Sequence, residues 1–175
     1  MRPTVNTRPD FRGVPDAAHL RSVLGNFCTG IVVITGGPAD APTAFSCQSF
    51  ASLSLEPSMI LICPSKTSRS WPRINAAGHF GVNILARDQE ELCRQFAVSG
   101  ADKFAGIGWS TGMTGAPILD GCLAYVECAV EARYDGGDHH IVLGKVLDSW
   151  VGRDADPLLF FRGCYEPLRG ASNDV

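Results

Sequence analysis

The chain has 175 residues, 45% of them hydrophobic and 19% charged, with a formal net charge of −3. That length suits one domain with its own core, and an acidic balance without a basic stripe argues against a nucleic-acid partner. No apolar run reaches the roughly 18–20 residues of a membrane-spanning helix. Met1–Asn6 lacks the apolar segment of a signal peptide, so a cytoplasmic location is expected. The seven cysteines are an odd number without a CxxC pair, which fits reduced thiols packed as small hydrophobes. Neither their spacing nor the scattered histidines suits a zinc site.

In chain order, residues 1–14 hold two prolines and three arginines and are expected to form an irregular arm. One domain then runs over 15–169, followed by a flexible tail over 170–175. Asp16 is placed to cap a helix through Leu20, Val23, Leu24 and Phe27. Ile31–Thr35 reads as a buried strand ending at Gly36-Gly37-Pro38. A strand pair is expected over about 43–55 and 59–63, broken at Glu56-Pro57. Ser70 is the favoured cap of a short helix, because Pro72 is tolerated only in a first turn. Phe80, Val82 and Ile84 alternate with Gly81 and Asn83 as a further strand. Asp88-Gln89-Glu90-Glu91 reads as a capping box for a helix with Leu92, Cys93, Phe96 and Ala97 on its apolar face. Residues 99–121 contain six glycines and read as a long ordered loop of the kind that often carries function.

The clearest pattern follows. Cys122, Ala124, Val126, Cys128, Val130, Ala132 and Tyr134 alternate with a second face that holds Glu127, Glu131 and Arg133, the period of a half-buried strand. Ile141–Leu147 forms a second β-rich run, and Asp135-Gly136-Gly137 supplies the turn between them. His139 sits just past that turn, either as a half-exposed residue ending it or as a functional group. A last strand is expected near Leu158–Phe161, then a polar tail. About seven strands, short peripheral helices and no regular crossover helices predict a mainly β chain, an antiparallel barrel rather than a parallel α/β sheet.

Two further segments offer chemistry. Cys63-Pro64-Ser65-Lys66-Thr67-Ser68-Arg69-Ser70-Trp71 packs hydroxyls, a lysine and an arginine between a strand end and a helix start. This is either an anion site, with Arg69 as a fork donor and Lys66 as a point charge, or a solvated, well-capped loop. Thr43–Ser54 is strand-like yet dense in hydroxyl and amide groups. Ser46, Gln48, Phe50, Ser52 and Ser54 fall on one face and Phe45, Cys47, Ser49, Ala51 and Leu53 on the other. Such polarity suits a strand lining a pocket for a heteroaromatic ligand. Asn83 adds an amide on a neighbouring strand, and Lys103-Phe104 offers an aromatic face beside a cation. No GxxxxGK[ST] or HExxH occurs, no GxSxG nucleophile elbow is recognised, and Gly106-Ile107-Gly108 lacks the third glycine and preceding strand of a dinucleotide fingerprint.

Taken together and in order, these segments resemble the short-chain flavin reductase family. The likeness runs through Phe27–Thr35, Ser49–Pro57, Phe80–Leu85, Gln89 with Phe96-Ala97, and Lys103-Phe104-Ala105-Gly106. It closes with Gly137-Asp138-His139, Gly144-Lys145-Val146, Pro157–Phe160 and Gly163-Cys164-Tyr165, so it spans roughly residues 16–168. Within that family it is most similar to reductase components of two-component monooxygenases. The sequence departs from the family pattern at Gln48, where many relatives carry an Asn-Ser pair, and at Ser58, which replaces the second of two prolines.

The resemblance implies an FMN-binding split barrel with Greek-key-like order. It also implies a homodimeric enzyme that uses NADH to reduce FAD or FMN and releases the reduced flavin to a separate monooxygenase. Under it Thr43, Ala44, Phe45, Ser46, Cys47, Gln48 and Ser49 line the flavin ring and ribityl chain. Cys63, Pro64 and Ser65 lie along the flavin, Arg69 and Ser70 approach its phosphate, and Lys103 and Phe104 flank the ring. His139 is implied beside the nicotinamide, with Asp138 orienting it and His140 adjacent. Hydride transfer needs little acid–base help from the protein, so positioning is the expected role of His139. No basic patch suits a 2′-phosphate, which favours NADH over NADPH. A non-enzymatic flavin-binding protein or electron carrier on the same fold, or a barrel for another heteroaromatic ligand, is the alternative.

Overall fold

The computed structural model describes residues 14, 16–98, 100 and 102–166. All of the expected tail, and all of the expected arm except Val14, lie outside them. Twelve strands and three helices order the described residues. The main body is a seven-stranded antiparallel sheet. Its strands are β2 (Val32–Gly36), β3 (Thr43–Cys47), β4 (Phe50–Leu55), β5 (Ser58–Ile62), β6 (His79–Ile84), β9 (Ala124–Gly136) and β10 (His139–Val151). Their spatial order is β3-β2-β6-β9-β10-β5-β4. A small sheet joins β1 (Thr29–Gly30), β11 (Leu159–Phe161) and β12 (Cys164–Glu166), the last falling where the sequence suggests only a polar tail.

Every residue of β2 is buried, because the sheet is covered on both faces. Val33 joins Ile31, Leu85, Phe96 and Leu119 in one core cluster. Its neighbours Val32 and Ile34 join Ile62, Trp71, Ile74, Phe80 and Val142 in the other. Alternation of side chains along a strand thus feeds two separate cores.

The strand expected over 43–55 is two strands on opposite edges of the sheet. The Phe50 N–H donates to Gln48 O at 2.9 Å, a tight reversal that breaks the extended backbone. The period-two faces read across that segment end there: Gln48 and Ser49 are both exposed, and the register slips again between Ser52 and Ser54.

The long hairpin forms, but its two-residue turn is Gly137-Asp138 rather than the expected Asp135-Gly136-Gly137, because Asp135 and Gly136 stay paired with His140 and His139. Only Gly137 takes a positive φ, +82°, as a type II′ reversal requires at its first central position. Tyr134, expected on the buried face, is exposed because the tip outruns its neighbours: β6 pairs β9 only as far as Ala129. Glu127, expected on the polar face, is fully buried. A second hairpin, β7 (Trp109–Thr111) with β8 (Pro117–Leu119), forms inside the segment read as loop. The turn between them gives the Glu127 carboxylate the N–H groups of Met113 and Thr114 at 2.9 and 2.8 Å.

The helices are short. In α1 (Ala17–Leu24) the Asp16 carboxylate accepts the His19 N–H at 2.7 Å, so the expected cap is made. The helix buries none of its residues, and Leu20, Val23, Leu24 and the following Phe27 stay exposed. Ser70 occupies the cap position of α2 (Trp71–Ala77), yet its hydroxyl turns to Ala44 O and Ser68 Oγ receives the Trp71 N–H instead. A single 3₁₀ turn precedes α3 (Glu90–Ala97). There Gln89 Oε1 accepts the Ala86 N–H at 3.0 Å, while Asp88 pairs with Arg153 rather than capping. Cys93 and Phe96 are buried as expected, but Ala97 is exposed. No helix among the described residues is long and apolar enough to cross a membrane.

Candidate functional site

A cleft of about 950 Å³ opens between the β3 edge of the sheet, the 63–70 segment, α3 and the hairpin tip. That volume matches small-molecule and cofactor sites. Strand β3 has no sheet neighbour on its outer side, so those outward peptide groups that side chains do not take are open to a ligand. Thr43, Phe45, Ser46, Cys47, Gln48 and Ser49 all line the cleft. Ala44, expected among them, is fully buried and outside the cleft lining, its carbonyl taken by Ser70 Oγ at 2.8 Å and Lys103 Nζ at 3.0 Å. Ser46 Oγ donates to Cys93 O at 2.6 Å, tying β3 to α3. Burial raises the Cys47 thiol above its ordinary value.

Cys63, Pro64, Ser65, Arg69 and Ser70 line the opposite wall with Thr67 and Ser68. Arg69 is exposed and has no carboxylate partner among the described residues. Lys66, read from the sequence as a second cation for an anion, is spent elsewhere. Its ammonium meets Asp135 Oδ2 on the hairpin at 2.6 Å. The same contact holds the Asp135 carboxyl below the usual carboxylate range.

The hairpin tip is fastened to this wall by two backbone hydrogen bonds. Lys66 N–H donates to Asp138 O and His140 N–H donates to Pro64 O, both at 2.9 Å, which together pair Ser65 with His139 as an antiparallel bridge. The fastening brings His139 into the cleft lining, whereas Asp138 and His140 fall outside it. The His139 Nδ1 lies 2.7 Å from Asp138 Oδ1, a contact that lowers the Asp138 carboxyl. With a carboxylate as acceptor, Nδ1 carries the proton and Nε2 is the ring's acceptor.

Two residues singled out in the sequence do different work. Asn83 is fully buried and outside the cleft. Its amide donates to Val33 O and Thr35 Oγ1 at 3.1 and 3.2 Å and its oxygen accepts the Leu119 N–H at 2.8 Å, so it has nothing left for a ligand. Lys103 lines the cleft, but its ammonium donates to Ala44 O and Phe96 O, both at 3.0 Å, and burial lowers its pKa. It braces β3 against α3 instead of offering a free charge. Phe104 packs edge-on against Phe96 at 5.3 Å and Trp109 at 5.6 Å, with one side on the cleft.

Sequence reasoning missed Arg73, Phe160 and Tyr165, all in the cleft lining. Arg73 lies in α2, two residues after its first residue, and its guanidinium donates to Ala41 O on the cleft wall. Tyr165 packs edge-on with Phe160 at 5.3 Å under the Arg94 guanidinium. Burial pushes its phenol up to about 12.

Comparison with known proteins adds an independent line. The family model for the flavin reductase like domain matches residues 24–169. The reductase subunit HsaB of a flavin-dependent monooxygenase from Rhodococcus jostii is 49% identical over 150 residues, 86% of this chain and 77% of that protein. The crystal structure of a homologue of nitrilotriacetate monooxygenase component B from Mycobacterium thermoresistibile superimposes with a TM-score of 0.83 at 48% identity. It covers 85% of this chain and 84% of that one. The NADH:FAD oxidoreductase SgcE6 of Streptomyces globisporus, solved with NAD and FAD fragments, gives 0.85 at 35% identity over 90% and 96% of the two chains. The chain therefore belongs to the flavin reductase like domain family.

Proposed function

We propose that this protein is an NADH-dependent flavin reductase, the reductase component of a two-component system, which reduces FAD or FMN and releases it to a separate monooxygenase. One observation carries the reading: a polar sheet edge, a hydroxyl-rich segment with Arg69, and His139 converge on a single cleft. The family match supports it, as does the naming of a 49% identical relative as a monooxygenase reductase subunit.

The residues fit a flavin. A heteroaromatic ring with alternating donors and acceptors suits the unpaired peptide edge of β3, with Ser46 and Ser49 beside it. A phosphate suits Arg69 and the hydroxyls of Ser65 and Ser68. When bound, the flavin supplies the hydride acceptor for the nicotinamide. The chain's part is alignment and exclusion of water. His139 would position the nicotinamide, its ring oriented by the Asp138 carboxylate at Nδ1. Lys103 and Ser46 keep β3 and α3 at a constant separation, so the floor of the cleft does not move as ligands come and go.

The split-barrel reading rests on the sheet edges: β3 and β4 lie at opposite ends of the sheet order yet are consecutive in the chain, so the sheet must curl for them to meet at Gln48-Ser49. A homodimer is favoured by the uncovered apolar side of α1 at Leu20, Val23 and Leu24, with Phe27 just beyond it. The test is NADH oxidation with free FAD or FMN added, followed by loss of NADH absorbance. Turnover that requires added flavin supports the proposal. A flavin that survives dialysis and is not turned over by NADH refutes it.

A further inference from the structure

Cys47 and Cys63 are not used by the mechanism above, yet both line the flavin cleft and both are free thiols. They close β3 and follow β5, two strands far apart in the sheet order. Ser49 joins them: its hydroxyl lies 3.3 Å from Cys47 Sγ, accepts the Cys63 N–H at 3.1 Å and donates to Cys63 O at 3.1 Å. The Ser49 carbonyl also accepts the Cys63 N–H at 3.2 Å. One serine thus holds the buried thiol of Cys47 against the backbone of the half-exposed Cys63.

We propose that Cys47 and Cys63 form a reversible disulfide that shuts the flavin cleft when hydrogen peroxide accumulates. The source of oxidant rests on the proposed function, because reduced flavin that meets dioxygen in solution yields peroxide. The chemistry balances without another co-reactant. The Cys63 thiolate attacks peroxide, giving a sulfenic acid and hydroxide. The Cys47 thiolate then attacks the sulfenic sulfur, forms the S–S bond and expels hydroxide. The two protons given up by the thiols convert both hydroxides to water, and two electrons have passed from sulfur to oxygen. The order follows from accessibility. Cys63 meets solvent first, while burial keeps Cys47 a poor nucleophile until an electrophilic sulfur is presented beside it. The link would draw together two side chains that line the cleft at the Cys47–Ser49–Cys63 corner and take both from contact with a ligand.

The full-length protein, freed of reductant, is treated with hydrogen peroxide in the presence and absence of saturating FAD. Remaining thiols are alkylated and the digest is analysed by mass spectrometry without reduction. The expected result is a Cys47–Cys63 cross-linked peptide that forms more slowly with FAD bound, together with loss of FAD binding that dithiothreitol restores. Cys63→Ser is expected to form no cross-link and to keep its own untreated flavin affinity after peroxide. Cys47→Ala is expected to leave a Cys63 sulfenic acid that dimedone traps. Alkylation of Cys63 undiminished by peroxide doses that oxidise the exposed Cys28 and Cys164 would overturn the proposal, as would a cross-link that forms equally fast with FAD present. The peptide map does not depend on turnover, so a chain that fails to oxidise NADH refutes the functional reading and leaves this result to stand or fall alone.

Discussion

Lys66 and Asp135 are 69 positions apart in sequence, yet their side chains meet at 2.6 Å where the hairpin tip docks on the 63–70 segment. Asp135 Oδ1 also accepts the Gly137 N–H at 3.0 Å, so one carboxylate shapes the turn and fastens it. The pair is solvent-exposed, and its value lies in where it holds His139 more than in stability. Asp135→Ala is expected to raise the NADH KM by about two- to fivefold, with the flavin Kd nearly unchanged. Pairing depresses the Asp135 carboxyl, so its contribution is present above the unfolded carboxylate value and lost as pH falls through the lower, folded one. The excess NADH KM of Asp135→Ala over the parent protein, measured by steady-state kinetics across pH, is therefore expected to hold from neutrality down to about pH 5 and to vanish below about 4.

His139 is the cleft residue nearest the turn. His139→Ala is expected to raise the NADH KM well beyond any change in flavin affinity, because the proposed flavin contacts lie on β3 and the 63–70 segment. Steady-state kinetics alongside flavin titration separates the two. A collapse of flavin affinity with NADH kinetics intact would assign the histidine to the other ligand.

Arg69 faces the cleft with its guanidinium uncommitted to any carboxylate among the described residues. Arg69→Ala is expected to weaken flavin binding by about 1–3 kcal/mol, the range of a charge-assisted hydrogen bond. Fluorescence titration with FAD measures this directly, and lumiflavin, which has no phosphate, should bind both proteins equally.

Glu127 lies far from this chemistry and tests the scaffold. Its buried carboxylate accepts from Met113 N–H, Thr114 N–H and Thr114 Oγ1. Glu127→Ala strands those donors and is expected to cost about 2–4 kcal/mol of stability, read from the denaturation midpoint, while the flavin Kd of the folded protein holds.

Much of this was legible in the sequence because it is local. Asp16 as a cap, the hairpin around Gly137 and the strand at 32–36 follow from turn chemistry and periodicity. Hydrogen-bonding capacity was legible too, but not its consumer. Asn83, Lys66 and Lys103 each look available to a ligand, and each is spent on a partner from a distant segment: Leu119, Asp135 and Ala44. The opposite error falls on Tyr165, which reads as tail and reaches the cleft only because β12 folds back on β11. The break at Gln48-Ser49 was missed for a related reason. Nothing in the period-two pattern marks a reversal made by two ordinary polar residues.

That reversal has a consequence for ligand capture. From the Cα of Cys47 to that of Phe50 the chain reaches at most about 11 Å, so the two rims of the crevice are tethered at one end by covalent bonds. The tether caps how far the crevice can gape at that end. Adding residues after Cys47 should therefore loosen grip on a ring seated along β3 before it loosens grip on a phosphate held at Arg69.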